Sequence, residues 1–184
     1  PRLLSRCHGD QARVRKALLF QFGARGLPML TYGTEFMLSG EEEPYNRASI
    51  DWDSPAPLAE ELGGLSRLRE KHPVLSRGAG SVLLLGKGQL LYEQRLDSQL
   101  SLLVVNMGDD SLAIPELGRP VTALQAGERI IEIGTDDLSA PPGATQLWIF
   151  EDAAPTKAAS PSTFHFRVDA PNYGEVRIAG TAQE

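Results

Sequence analysis

Cysteine, histidine and tryptophan are scarce in this sequence, positive charge is in the minority, and no long apolar run occurs. The single cysteine, Cys7, excludes an internal disulfide. Its neighbour His8 is directly adjacent, which is not a metal-site spacing, so Cys7 reads as a plain thiol. The other histidines, His72 and His165, have no partner at ligand spacing either and read as ordinary. No stretch approaches the roughly 20 apolar residues of a membrane-crossing helix, so no membrane partner is expected. Lysine and arginine number 18 against 24 acidic residues, for a net charge of -6, with no basic cluster. A phosphate-backbone footprint is therefore excluded, and nucleic acid with it. The first residue is Pro1, and no charged-then-apolar leader follows it, so the true N-terminus is expected upstream.

What remains is a chain with 41% hydrophobic residues, ordinary for packed protein. In DQARVRKALLFQF, Asp10 is placed to cap a helix whose apolar face carries Val14, Leu18 and Phe22, widened by Ala17 and Phe20. The helix should stop at Gly23 to Gly26, with a short strand from Met29 to Tyr32 beyond. Leu58, Leu62, Leu65 and Leu68 mark a second helix, with Lys71 and His72 in its last turn and Pro73 as its stop. The period then shortens. SVLLLG, QLLYEQRL, LSLLVVNM, RPVTALQ, ERIIEIG and TQLWIF are strand-like runs separated by turns, which predicts an antiparallel β-sandwich. From Glu151 a small, proline-containing stretch reads as a linker, and beyond it Phe164, Phe166 and Val168 alternate with polar residues as one hairpin. Both ends read as cut from something larger.

Four segments in order carry a resemblance. GLPMLTYGTE is similar to the Gly-x-Pro-x-x-Tyr-Tyr-Gly-x-Glu signature of the eighth barrel strand in the α-amylase family of glycoside hydrolases, family 13, with Thr31 where a first tyrosine is usual. PRLLSR resembles the residues after the family's Asn-His-Asp motif, EPYNR with IDWD resembles the loop after the eighth strand, and LSRLREKHPVLSRG resembles the last barrel helix and its exit. The implied fold is α/β plus all-β: the terminal portion of a (β/α)8 barrel over 1–78, then an antiparallel β-sandwich over 79–152. A linker at 153–162 and, at 163–184, the first hairpin of a starch-binding β-domain complete the implied organisation. The sandwich is expected to bury its own core, so that 79–152 stays soluble while 1–184 associates.

The resemblance implies an enzyme cleaving α-glucosidic bonds of starch-like glucans by a retaining mechanism, or a glucan-transferring, branching or non-catalytic relative. Retaining hydrolysis needs two carboxylates about 5 Å apart. The family supplies them, and a stabilising aspartate, after strands that this chain does not carry, so the segment alone is expected to be inactive. Loops after the C-terminal ends of barrel strands build the active site, and the loop after Tyr32 holds four carboxylates before Arg47. Carboxylates and guanidinium groups suit sugar hydroxyls, which they bind by charge-assisted hydrogen bonds.

By resemblance, Arg47 and Glu43 contact sugars on the non-reducing side of the scissile bond, Glu43 standing where an aspartate is common. The alternative for this pair is a surface ion pair. Tyr45 is a candidate to stack on a sugar, while Trp52 is expected to pack against the next helix. Glu35 reads as a loop-holding residue and not as a catalytic acid. Arg2 either faces the active site or pairs with a neighbouring carboxylate. No cofactor is expected in the segment; the resemblance leaves calcium open for the intact protein, at upstream sites, and no loop here has EF-hand spacing. The residues do not specify localisation, although the resemblance points to secretion.

Overall fold

Residues 1–154 are described by the computed structural model; the hairpin expected at 163–184 and most of the expected linker lie outside them. The chain opens with a single helical turn, α1 (Leu3–Arg6), and the longer α2 (Gln11–Gly23). The Asp10 side chain accepts a hydrogen bond from Arg13 N, satisfying one of the free donors at the start of α2. Val14, Leu18, Leu19 and Phe22 are buried, whereas Phe20 is 41% exposed and adds nothing to the buried face. Leu19 takes the place predicted for Phe20.

The far end of α2 is closed from outside the helix. The Arg69 guanidinium donates to the carbonyls of Phe22, of Ala24 at 3.1 Å and of Gly26 at 2.5 Å. These hydrogen bonds satisfy carbonyls that a helix end leaves open and fix the turn into the following segment. That segment, Met29 to Tyr32, forms no strand, and Tyr32 already belongs to the following turn. A strand requires a ladder partner, and none of the described residues pairs with it. Leu27, Met29 and Leu30 are correspondingly exposed, at 91%, 83% and 41%.

Helix α3 (Ala59–Lys71) ends as predicted before Pro73, which opens the short α4 (Val74–Arg77). Then follow β1 (Ala79–Gly86), β2 (Gln89–Leu96), β3 (Gln99–Asn106), β4 (Leu112–Ala113), β5 (Arg119–Ala126), β6 (Ile130–Glu132), β7 (Ser139–Ala140) and β8 (Thr145–Glu151). Six of them form an antiparallel sheet in the order β1-β2-β3-β8-β5-β6, and β4 pairs with β7 in a small second sheet. The two short strands carry too few residues to show an alternation, and the sequence does not reveal them. β8 runs through Glu151, and Ala153 is buried, so the chain leaves the sheet later than the linker expected from Glu151.

The two-residue period of β3 and β8 sorts their side chains between two cores. Leu100, Leu102, Val104, Trp148 and Phe150 join Ile114 and Ala140 beneath the small sheet. Leu103, Leu147 and Ile149 point the other way and pack with α2, α3 and α4 residues such as Leu19, Leu65 and Leu75. Thr145 to Phe150 are all buried because β8 is central and covered on both faces, which accounts for its near-continuous apolar run. The sandwich thus does not bury its whole core by itself. One face of its main sheet is closed by helices from the preceding half.

Contact between helices and sheet is close. Gly23 is pressed so tightly that a Cβ there would lie 3.0 Å from Leu103 Cδ1, and the Gly23 carbonyl accepts from Gln94 Nε2 at 2.7 Å. Gln94 is fully buried and also donates to Ser101 Oγ at 3.1 Å. Both amide donors of Gln94 are thus used, while its Oε1 has no partner among the described residues.

Candidate functional site

The loop after Tyr32 is shaped by its first residue. Gly33 has φ of 81°, a backbone conformation that favours glycine, and a Cβ added to it would lie 2.5 Å from Leu38 Cδ1, so that side chain would have to shift. Its carbonyl accepts from Phe36 N and Leu38 N at 3.2 and 3.0 Å, closing a tight turn. Glu35 contributes through its backbone: its carbonyl accepts from Leu58 N at 3.1 Å and ties the turn to the start of α3. Gly40 is then pinned to the first residues of the chain, accepting from Arg2 N at 2.8 Å and donating to Ser5 Oγ at 2.8 Å.

With both ends anchored, the acidic part of the loop folds back as a short 3-10 turn at Tyr45–Arg47, entered through a cis Glu43-Pro44 bond. The turn brings Glu43 and Arg47 together, with Arg47 Nη2 donating to Glu43 Oε1 at 2.5 Å. Both side chains are about two-thirds exposed, at 64% and 71%. An ion pair this exposed contributes only about 0.2–1 kcal/mol to stability, so folding does not require it. Its second carboxylate oxygen and remaining guanidinium donors are open to other partners.

Glu43 and Arg47 line a cleft of about 510 Å³ together with Arg2, Tyr32, Thr34 and Asn46. Tyr45 does not line it; its ring stands in solvent, 76% exposed. Trp52 is 77% exposed, contrary to the packing expected of it, and touches Phe36 edge-on with ring centroids 5.8 Å apart. The segment around it curls on itself instead of lying on α3: Asp51 accepts from Ser54 Oγ at 2.7 Å and from Asp53 N at 3.2 Å, and these bonds hold its carboxyl below the ordinary range.

Arg2 is the residue that sequence reasoning placed least well. It is 6% exposed and pairs with no carboxylate among the described residues. Its Nη1 donates instead to the Tyr32 carbonyl at 2.6 Å, and its guanidinium carbon lies 4.6 Å from the centroid of the Tyr32 ring. Tyr32 was legible as the end of an apolar run before a glycine and as the second tyrosine of the signature, but not as a residue of the cleft. No group of three or more His, Cys, Asp or Glu side chains is placed to hold a metal ion among the described residues.

No protein-family model matches the sequence. Individual proteins do. The chain is 33% identical over 129 residues to a cyclomaltodextrin glucanotransferase of Bacillus sp. (strain 17-1), covering 67% of this chain and 18% of that protein. It is 29% identical over 161 residues to a cyclomaltodextrinase of Geobacillus thermopakistaniensis (strain MAS1), covering 82% and 27%. An Anoxybacillus α-amylase shares the fold with a TM-score of 0.59 at 23% identity, over 79% of this chain and 34% of the solved one. The chain belongs to the α-amylase family of glycoside hydrolases. It spans about a fifth to a quarter of the length of the two curated α-amylase-family relatives. The antiparallel, sheet-rich fold is consistent with a β-sandwich domain of the solved amylase-family neighbours.

Proposed function

We propose that the chain supplies one wall of the substrate cleft, and the sandwich behind it, to an enzyme that cleaves α-glucosidic bonds of starch-like glucans by the retaining mechanism. The observation that carries this reading is the exposed Glu43–Arg47 pair on the wall of a cleft, held by a loop anchored at both ends. Such a pair offers an acceptor and several donors to vicinal sugar hydroxyls. The apolar Leu27 to Leu30 segment, which pairs with no strand among the described residues, supports placing residues 1–78 at the end of a barrel, where a neighbouring strand would cover it. In this arrangement the chain holds glucan, and the nucleophile and acid/base carboxylates come from preceding strands.

Reducing-sugar release from soluble starch by the intact gene product tests this. Arg47→Ala is expected to raise KM roughly tenfold, as loss of hydrogen bonds from a charged donor does. Residues 1–184 alone are expected to release nothing. Starch left untouched by the intact product, or activity in 1–184 alone, overturns the reading. A glucan-transferring reading is favoured by the 33% identity to a cyclomaltodextrin glucanotransferase. Transfer and hydrolysis differ only in which acceptor meets the covalent intermediate, so the balance of cyclic or lengthened products against shortened linear ones separates them.

A further inference from the structure

We infer that Tyr32 is a sugar-contacting residue of this cleft and that Arg2 is the positioning residue that sets its ring; the inference rests on the α-glucan reading above. Tyr32 lines the same cleft as Glu43 and Arg47 and keeps half of its surface exposed. Arg2, whose guanidinium lies over one face of the ring, is 6% exposed as a residue, so that face is covered and the open area lies on the other face and edge. An aromatic face beside paired hydrogen-bonding groups suits a pyranose ring, which presents C–H groups on its faces and hydroxyls around its rim.

Three contacts hold the ring before any ligand arrives. Arg2 Nη1 donates to the Tyr32 carbonyl, the guanidinium lies over the ring, and the phenol donates to Ala48 O at 3.4 Å. Arg2 is itself fixed through its backbone to Gly40. Only a planar guanidinium can stack on the ring and donate to the adjacent carbonyl at once, which a lysine cannot reproduce. Nε and Nη2 of Arg2 are buried without a partner among the described residues. A buried guanidinium with no counter-charge is costly, and its attachment to Tyr32 is what the site gains from it. Holding the ring in place removes the ordering cost that binding would otherwise incur.

The test is steady-state kinetics of the intact gene product on maltoheptaose. Tyr32→Ala is expected to raise KM roughly tenfold with kcat little changed, the signature of lost uniform binding. Tyr32→Phe, which keeps the ring and loses only the 3.4 Å contact to Ala48 O, should raise KM less than Tyr32→Ala does. Arg2→Met should raise KM as Tyr32→Ala does, Arg2→Lys should not rescue it, and the double variant should be no worse than Tyr32→Ala alone, because Arg2 acts through the ring. If Arg2→Met fails to fold, Arg2→Lys carries the comparison. An unchanged KM in Tyr32→Ala, or additive losses in the double variant, overturns the inference even where Arg47→Ala still raises KM. No turnover by the parent overturns this inference and the α-glucan reading together.

Discussion

Arg15 and Glu61 form a buried ion pair between α2 and α3, with Arg15 Nε 3.0 and 3.1 Å from the two carboxylate oxygens and each side chain 7% exposed. Glu61 Oε2 also accepts from Ile130 N at 3.2 Å, so one carboxylate joins both helices to β6. Removing one partner leaves a buried charge unmatched. Glu61→Ala is therefore expected to cost about 3–5 kcal/mol, whereas Arg15→Met with Glu61→Leu should cost much less than the single change. Urea denaturation of the three variants checks this, and a double variant as unstable as Glu61→Ala would reject it.

The helices and the sheet are expected to be inseparable. A piece cut to 79–152 would expose Leu103, Leu147 and Ile149, which α2, α3 and α4 cover in the intact chain. Exposed apolar faces of this kind drive association. Light scattering should find 79–152 more associated than 10–154 at equal concentration. The reverse order would mean that the sheet closes its face without the helices.

His72 is expected to make stability fall in mild acid. The residue is 2% exposed, and neither ring nitrogen has a partner among the described residues. Burial lowers its pKa, Lys71 adds to the shift, and Glu151 opposes it. The unfolded imidazole titrates near 6.5, and the folded one below that. The unfolded chain therefore binds more protons between those two values, so the His72 contribution is complete above about pH 6.5 and is lost as pH falls below it. The urea midpoint should drop more between pH 8 and pH 5 in the parent than in His72→Leu. Equal drops would show that the imidazole does not titrate between folded and unfolded states.

Gly33→Ala is expected to destabilise the chain by about 1–3 kcal/mol, since the new Cβ meets Leu38 and the backbone lies in the left-handed region. Gly64→Ala, within α3 and with nothing inside 4 Å of the added Cβ, should instead stabilise by about 0.4–1 kcal/mol. Thermal unfolding of both variants decides the point. A Gly33→Ala midpoint at or above the parent's would show that the turn can be rebuilt.

The sequence by itself determined whatever depends on neighbours along the chain. The Asp10 cap, the stop before Pro73 and the long strands of the main sheet follow from capping chemistry, fixed proline geometry and side-chain period, and the structure reproduces them. The motifs from Pro1 to Gly78 likewise led to the α-amylase family. Tertiary structure alone decided what depends on distant partners. Met29 to Tyr32 has strand composition and no ladder to join; β4 and β7 are strands only because they find each other. Glu43 and Arg47 are four residues apart and met as local geometry allows, while Arg2 and Tyr32, thirty residues apart, are joined by a loop anchored at Gly33 and Gly40. The sheet's second face needed α2 above it. Period and capping act over a few residues, whereas burial is a property of the whole assembly, and no local pattern states which surface will cover another.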